Sequence, residues 1–239
     1  MKIYSNVQKK SLFRIALVCL MPVELSSCLK TNNSSYYNPP VALVTLIQAS
    51  PDEPSLDFYL DNDKVNGVSL GYGSTIDYFR AYARQRNANF FITGTMNRVF
   101  TDTITFLPNY IYSVFLANKA SSPELVKIVD TLSQPATGKA SIRFVNVSPD
   151  APAVDLVVKG GAVVVSNKSY KGHSSFVPIT GETTYTFEVH QAGTATVLAT
   201  LPTTTLKAGF VYTIWLQGLA TPTNGTDGLS ANIMTNAFY

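Results

Sequence analysis

The chain has 239 residues, with 18 Lys+Arg against 15 Asp+Glu and a formal net charge of +3. Four of those bases (Lys2, Lys9, Lys10, Arg14) and one acid (Glu24) fall within the first 27 residues, which leaves fourteen of each sign beyond them. A neutral body lacks the electrostatic footprint of a nucleic-acid binder, and with both cysteines, Cys19 and Cys28, at its N-terminal end it offers no disulfide, thiol nucleophile or zinc–thiolate site.

Taken from its start, the chain places the basic leader before nine largely apolar residues, Ile15 to Val23. That is the layout of a secretory signal peptide, and it is too short to span a bilayer. It ends in Leu25-Ser26-Ser27-Cys28, which resembles the lipobox of bacterial lipoproteins. The resemblance implies cleavage after residue 27, acylation of Cys28 and attachment to a membrane through that lipid. Leu29 follows the cysteine, so the aspartate that retains some lipoproteins at the inner membrane is missing, and the expected location is the outer membrane of the bacterial envelope. Residues 28–40 then supply the lipidated cysteine and a polar tether ending in two prolines, at most about 40 Å long when extended.

A repeat follows. Ala42–Val65 aligns with Ala140–Val163 without a gap, with seven identities in 24 positions. Five of them lie in one eight-residue stretch, SPDEPSLD (Ser50–Asp57) against SPDAPAVD (Ser148–Asp155). Near the end, NYIYSVFLAN (Asn109–Asn118) matches GFVYTIWLQG (Gly209–Gly218). A period near one hundred residues is too long for a solenoid and suits a duplicated β-domain. Each copy reads as short apolar or alternating strands separated by turn residues every eight to twelve positions, without a sustained 3.6-residue period. The expected architecture is all-β: two tandem antiparallel β-sandwich, immunoglobulin-like domains, over residues 41–132 and 140–239, joined by a linker at 133–139. Trp215 has no cysteine partners, so the Cys…Trp…Cys core of a true immunoglobulin domain is excluded.

The doubled motif suits a tight turn. Pro51 and Pro149 preset φ at the second turn position, and Ser50, Asp52, Ser148 and Asp150 can cap free backbone N–H groups. Asp57 and Asp155 fall opposite in parity to the apolar residues of the strands they enter, and Arg143 could pair with Asp155. Calcium at these aspartates is the alternative, but the spacing lacks the dense oxygen-ligand run of a known calcium loop; no metal or cofactor is expected. Together with Ile142-Arg143-Phe144-Val145, Ala208-Gly209 and Tyr212-Thr213, the second motif resembles the bacterial envelope family catalogued as domain of unknown function 4397. The first copy is divergent, with Thr45 in place of the arginine and Pro108-Asn109 in place of Ala-Gly. The resemblance implies a β-sandwich lipoprotein and supplies no activity.

Chemistry is sparse. Gly67-Val68-Ser69-Leu70-Gly71 matches the nucleophile elbow G-x-S-x-G, but no helix pattern follows it, and His173 and His190 both fall in the other copy. Neither histidine is expected to have a carboxylate partner, so both read as packing or solvent-facing side chains. Asp102-Thr103-Ile104 and Asp130-Thr131-Leu132 resemble a short O-glycosylation acceptor of some envelope proteins. The distinctive stretch is DYFRAYARQRN, residues 77–87. At strand period it sets Tyr78, Arg80, Tyr82, Arg84 and Arg86 on one face, where rings and guanidinium groups could stack on sugars and clamp carboxylates or sulfates. The bland alternative is a solvated face with Arg stems lying over Tyr rings. The expected function is a non-catalytic binding or adhesion module for a glycan or for an envelope or host protein. The competing expectation is a structural, accessory lipoprotein of an envelope assembly with no small ligand.

Overall fold

A computed structural model describes residues 39–222 and 227–239. The leader, Cys28 and nearly all of the tether lie outside the described residues. Asn38–Tyr239 forms one compact unit. In chain order its first half contains β1 (Val41–Gln48), β2 (Leu56–Leu60), β3 (Asp63–Lys64), β4 (Thr75–Tyr82), β5 (Gln85–Ile92), β6 (Arg98–Thr105), β7 (Ile111–Ala117) and β8 (Glu124–Val129). The second half contains β9 (Lys139–Asn146), β10 (Val154–Val158), β11 (Val163–Lys168), β12 (Val177–Thr180), β13 (Thr183–Gln191), β14 (Val197–Leu206), β15 (Phe210–Gln217) and β16 (Ser230–Phe238).

These sixteen strands make four four-stranded sheets, ordered β4-β1-β7-β8, β3-β2-β5-β6, β12-β9-β15-β16 and β11-β10-β13-β14. The halves correspond strand for strand, so the repeat read in the sequence is a repeat of topology. The fold is all-β and consistent with two β-sandwiches. It departs from a purely antiparallel plan in one pairing per half: β1 runs parallel to β7, and β9 parallel to β15. In each half the chain crosses to the facing sheet, returns antiparallel on one side of the first strand, crosses again and comes back on its other side, and such a long crossover delivers that last strand in parallel.

Each half has its own core. Leu56, Phe58 and Leu60 of β2 face Val44 and Leu46 of β1 and Val114 and Leu116 of β7. Val154 and Leu156 of β10 do the same against Ile142 and Phe144 of β9 and Ile214 and Leu216 of β15. A third core lies on the opposite face of the first strands of both halves. It is built from Ile47, Ala49, Phe115, Ala117, Val126, Ile128, Val145, Val147 and Trp215. The sheets containing β1 and β9 therefore pack face to face. Strands buried on both faces carry continuous apolar runs rather than alternation, as VALVTLIQ, IYSVFLA and FVYTIWLQ do.

Beside that third core runs a closed ring of polar contacts. Arg143, 1% exposed, donates from Nη1 to Asp130 Oδ1 at 2.6 Å and from Nη2 to Ser113 Oγ and Thr213 Oγ1, while its guanidinium lies 4.7 Å from the Phe176 ring centre. Asp130 Oδ2 accepts from Ser113 Oγ and Tyr78 Oη. Thr213 donates to Asn236, and Asn236 donates to Tyr78. Tyr78, Ser113 and Asp130 belong to the first half, the others to the second. The expected pair of Arg143 with Asp155 does not form. Both side chains point away from the second core, but out of opposite sheets, so the core lies between them.

Candidate functional site

The doubled motif carries the chain from one sheet of each half to the other, and its side chains pin each end within its own sheet. Ser50 Oγ donates to the Asn118 carbonyl at 2.5 Å, and Ser148 Oγ to the Gly218 carbonyl at 2.6 Å. The Ser50 N–H donates to Gln48 Oε1 and the Ser148 N–H to Asn146 Oδ1. Asp57 accepts from the Gly94 N–H and Asp155 from the Gly193 N–H, so each closes the equivalent hairpin turn, β5–β6 and β13–β14. Asp150 accepts from Ala220 and Thr221 N–H. Asp52 differs: it sits at φ 67° and its carboxyl meets that of Asp227, a hydrogen bond that raises its pKa. Pro51 is buried inside its turn and Pro149 in the equivalent position is buried less completely. Among the described residues, no group of three or more His, Cys, Asp or Glu side chains is arranged to hold a metal ion.

The stretch 77–87 does not form one strand. β4 ends at Tyr82, the chain turns through Ala83-Arg84, and β5 enters the other sheet. Tyr78 is turned into the polar ring between the halves and also lines a cavity of ≈ 570 Å³ with Thr45, Asp77 and Asn236. Its burial, then its carboxylate partner Asp130, pushes the phenol pKa well above its ordinary value. Arg86 is buried at the mouth of the sandwich and donates from Nε to Asp61 at 2.8 Å. Arg84 is exposed and meets the same carboxylate at 2.9 Å. Burial pulls the Asp61 pKa up, but the Asn87 N–H, the Arg86 hydrogen bond and both guanidinium charges outweigh it and hold the carboxyl below its usual value. Arg80, Tyr82 and Arg86 do come together, lining a groove of ≈ 270 Å³ with Leu60, Asp63 and Lys64. The Arg86 guanidinium lies 5.8 Å from the Tyr82 ring centre.

Across the β2–β3 turn lies a second groove, of ≈ 230 Å³, lined by Tyr59, Asp61, Asn62, Asn89, Phe91, Met96 and Arg98. It opens on the outer face of the sheet β3-β2-β5-β6. Tyr59 and Phe91 pack edge to face, 5.2 Å between ring centres. Asn89 is fixed between them and the rim: its Nδ2 donates to the Asp61 carbonyl and its Oδ1 accepts from Thr101. Met96 is 87% exposed. The register of the second half places Val157, Glu188, His190 and Val197 where the first has Tyr59, Asn89, Phe91 and Arg98. Sequence reading passed over Tyr59 and Phe91 because they stand on different strands, 32 positions apart; the only linear signal is an outward-facing ring on each of two alternating strands.

Elsewhere, Ser69 lies in a Gly-rich loop beside the short bridge Leu56–Leu70, with strand and turn around it rather than a helix. His190 does have a carboxylate neighbour, Glu188 Oε2 at 3.0 Å, which two-residue spacing along β13 puts on the same face. The histidine hydrogen bond and the nearby Lys159 hold that glutamate below its ordinary pKa. Of the two Asp-Thr-aliphatic triplets, Asp102 and Thr103 are exposed on β6, whereas Asp130 is sealed within the polar ring.

Residues 42–157 match the family model described as domain of unknown function DUF4397, a span that takes in the first half and the opening strands of the second. No curated protein matches the chain. Among solved structures, a family 26 carbohydrate-binding module of Eubacterium rectale Amy13K, crystallised with maltoheptaose, is similar over 82% of this chain and 97% of its own, at 10% identity and a TM-score of 0.28. Family 41 carbohydrate-binding modules from streptococcal virulence factors align over 66% of this chain and 85% of theirs, at 12% identity and a TM-score of 0.22. The Bacillus anthracis TIE protein aligns over 82% of this chain and 44% of its own, at 12% identity and a TM-score of 0.25. Likenesses of this size carry no argument about ligand.

Proposed function

We propose that this protein is a non-catalytic, lipid-anchored binding module of the bacterial outer membrane, and that it takes a glycan on the outer face of the first half. The supporting observation is the Tyr59–Phe91 pair. Two half-exposed rings border an open groove whose rim offers an amide on Asn89, a carboxylate on Asp61 and a guanidinium on Arg98. A sugar ring needs that combination: a flat apolar surface for its C–H face and planar polar groups for its hydroxyls. The second half builds the same sandwich with Val157 and His190 in place of the rings, so the fold does not require them. The lipobox-like Leu25-Ser26-Ser27-Cys28 supports the anchor, with the tether ahead of β1 holding the site off the membrane.

The test is an array of envelope, host and dietary glycans probed with the full chain and with a Tyr59→Val/Phe91→His variant, which imports the residues of the second half. The reading predicts binding by the wild type and its loss in the variant at an unchanged melting temperature. Silence across the array would favour an accessory role in an envelope assembly instead.

A further inference from the structure

We infer that the glycan is acidic, and that its carboxylate or sulfate is taken by Arg80 in the groove on the far side of the β2–β3 turn; this rests on the glycan reading above. The two grooves share one turn. Asp61 and Asn62 line one side, and Leu60 and Asp63 line the other. The four residues span at most ~11 Å of chain, so an oligosaccharide lying across the turn reaches both.

The second groove is lined by more cations than anions. Its cations are Lys64, Arg80 and Arg86, and its one lining carboxylate is Asp63. Lys64 is engaged with Asp57 at 2.8 Å, and Arg86 with Asp61. Arg84 shares Asp61, so that carboxylate balances only one of two guanidinium groups. Arg80 is exposed and has no carboxylate partner among the described residues. A planar guanidinium held open beside a tyrosine ring matches an oxyanion bidentately and a sugar face by stacking. The sandwich itself does not call for this pattern. The register of β12 against β9 puts Pro178 and Thr180 where the first half has Arg80 and Tyr82. The chain beyond residue 27, taken as a whole, is charge-neutral, so the excess is local.

The experiment measures affinity of the full chain, in detergent, for four oligosaccharides of equal length: a galacturonate, a sulfated galactan free of uronate, a cello-oligosaccharide and a malto-oligosaccharide. Each is titrated at low and high salt against wild type and Arg80→Gln, with a poly-glutamate peptide as a further ligand. At low salt the acidic sugars should bind about tenfold tighter than the neutral ones. That advantage should shrink as salt screens it and disappear in Arg80→Gln, while neutral-sugar binding is kept. The galacturonate and sulfate arms tell which oxyanion is preferred. Neutral sugars binding as tightly as acidic ones, or an Arg80→Gln variant with undiminished preference, overturns the inference and leaves the glycan reading intact. Binding of the peptide but of no sugar overturns both.

Discussion

Arg143 and Asp130 form a salt bridge with side chains 2% and 0% exposed. Removing one partner of such a pair leaves an uncompensated charge in the interior, at a cost of about 3–5 kcal/mol, whereas replacing both with apolar side chains costs far less. Asp130→Asn or Arg143→Met alone should therefore lower urea stability by that amount, and Arg143→Met combined with Asp130→Leu should recover much of it. An additive double mutant would show that the two act independently. The equivalent of Arg143 in the first half is Thr45, whose hydroxyl donates to the Ile76 carbonyl. One arginine serves because the two equivalent faces meet. The substitution was visible in the sequence, but its reason was not, since nothing in a linear chain says that two faces cover each other. Asp57 gives a pH prediction. The Lys64 hydrogen bond, opposed by burial and aided by the Gly94 N–H, holds its pKa below the ordinary 3.8. A carboxyl whose folded pKa is depressed contributes stability that is fully present above its unfolded pKa and lost as pH falls through the folded one. The melting-temperature gap between wild type and Asp57→Asn should hold from pH 7 to about 5 and close below about pH 4. A gap unchanged down to pH 2 would contradict this role.

At the scale of elements, the turns between strands depend on a few backbone positions. Gly218 has φ +91°, and a Cβ there would meet the Gly228 carbonyl oxygen at 2.2 Å. Its own carbonyl accepts the Ser148 hydroxyl. Gly218→Ala should cost well over the ~1 kcal/mol of an ordinary Gly/Ala exchange, and Ser148→Ala about 1–3 kcal/mol for the buried carbonyl left unpaired. Denaturant titration checks both, and a neutral Ser148→Ala would remove the motif's claim to pin the ends of β9 and β15 together. Most elements were legible. The alternation in LDFYL and VDLVV marks β2 and β10, and the β-branched runs mark β1, β7, β9 and β15. The bend that divides residues 77–87 between two sheets was not legible, because Ala83-Arg84 carries neither Gly nor Pro to signal it. Strand period alone aligned five side chains that the turn then distributes among the polar ring, the sandwich mouth and solvent.

The whole molecule behaves as one body because the β1 and β9 sheets bury a common core. Trp215, 1% exposed and packed edge to face on Phe115 at 6.2 Å, is the single tryptophan and sits in that shared core. Its fluorescence reports directly on whether the halves are together. Unfolding followed at Trp215 and by far-UV circular dichroism should give coincident transitions, and Trp215→Ala should lower stability by about 3–5 kcal/mol. A tryptophan transition well before the loss of sheet signal would mean that the halves separate first. The duplication was plain from the sequence, yet the resulting asymmetry was only half legible. The arginine-rich stretch pointed to the first half, while the rings that complete its surface come from strands brought together only by the fold. The most direct test of the account is calorimetric titration of the full chain with the best glycan from the array. The account predicts one site per chain, abolished by Tyr59→Val/Phe91→His. Two equivalent sites per chain, or a variant that binds like wild type, would contradict it.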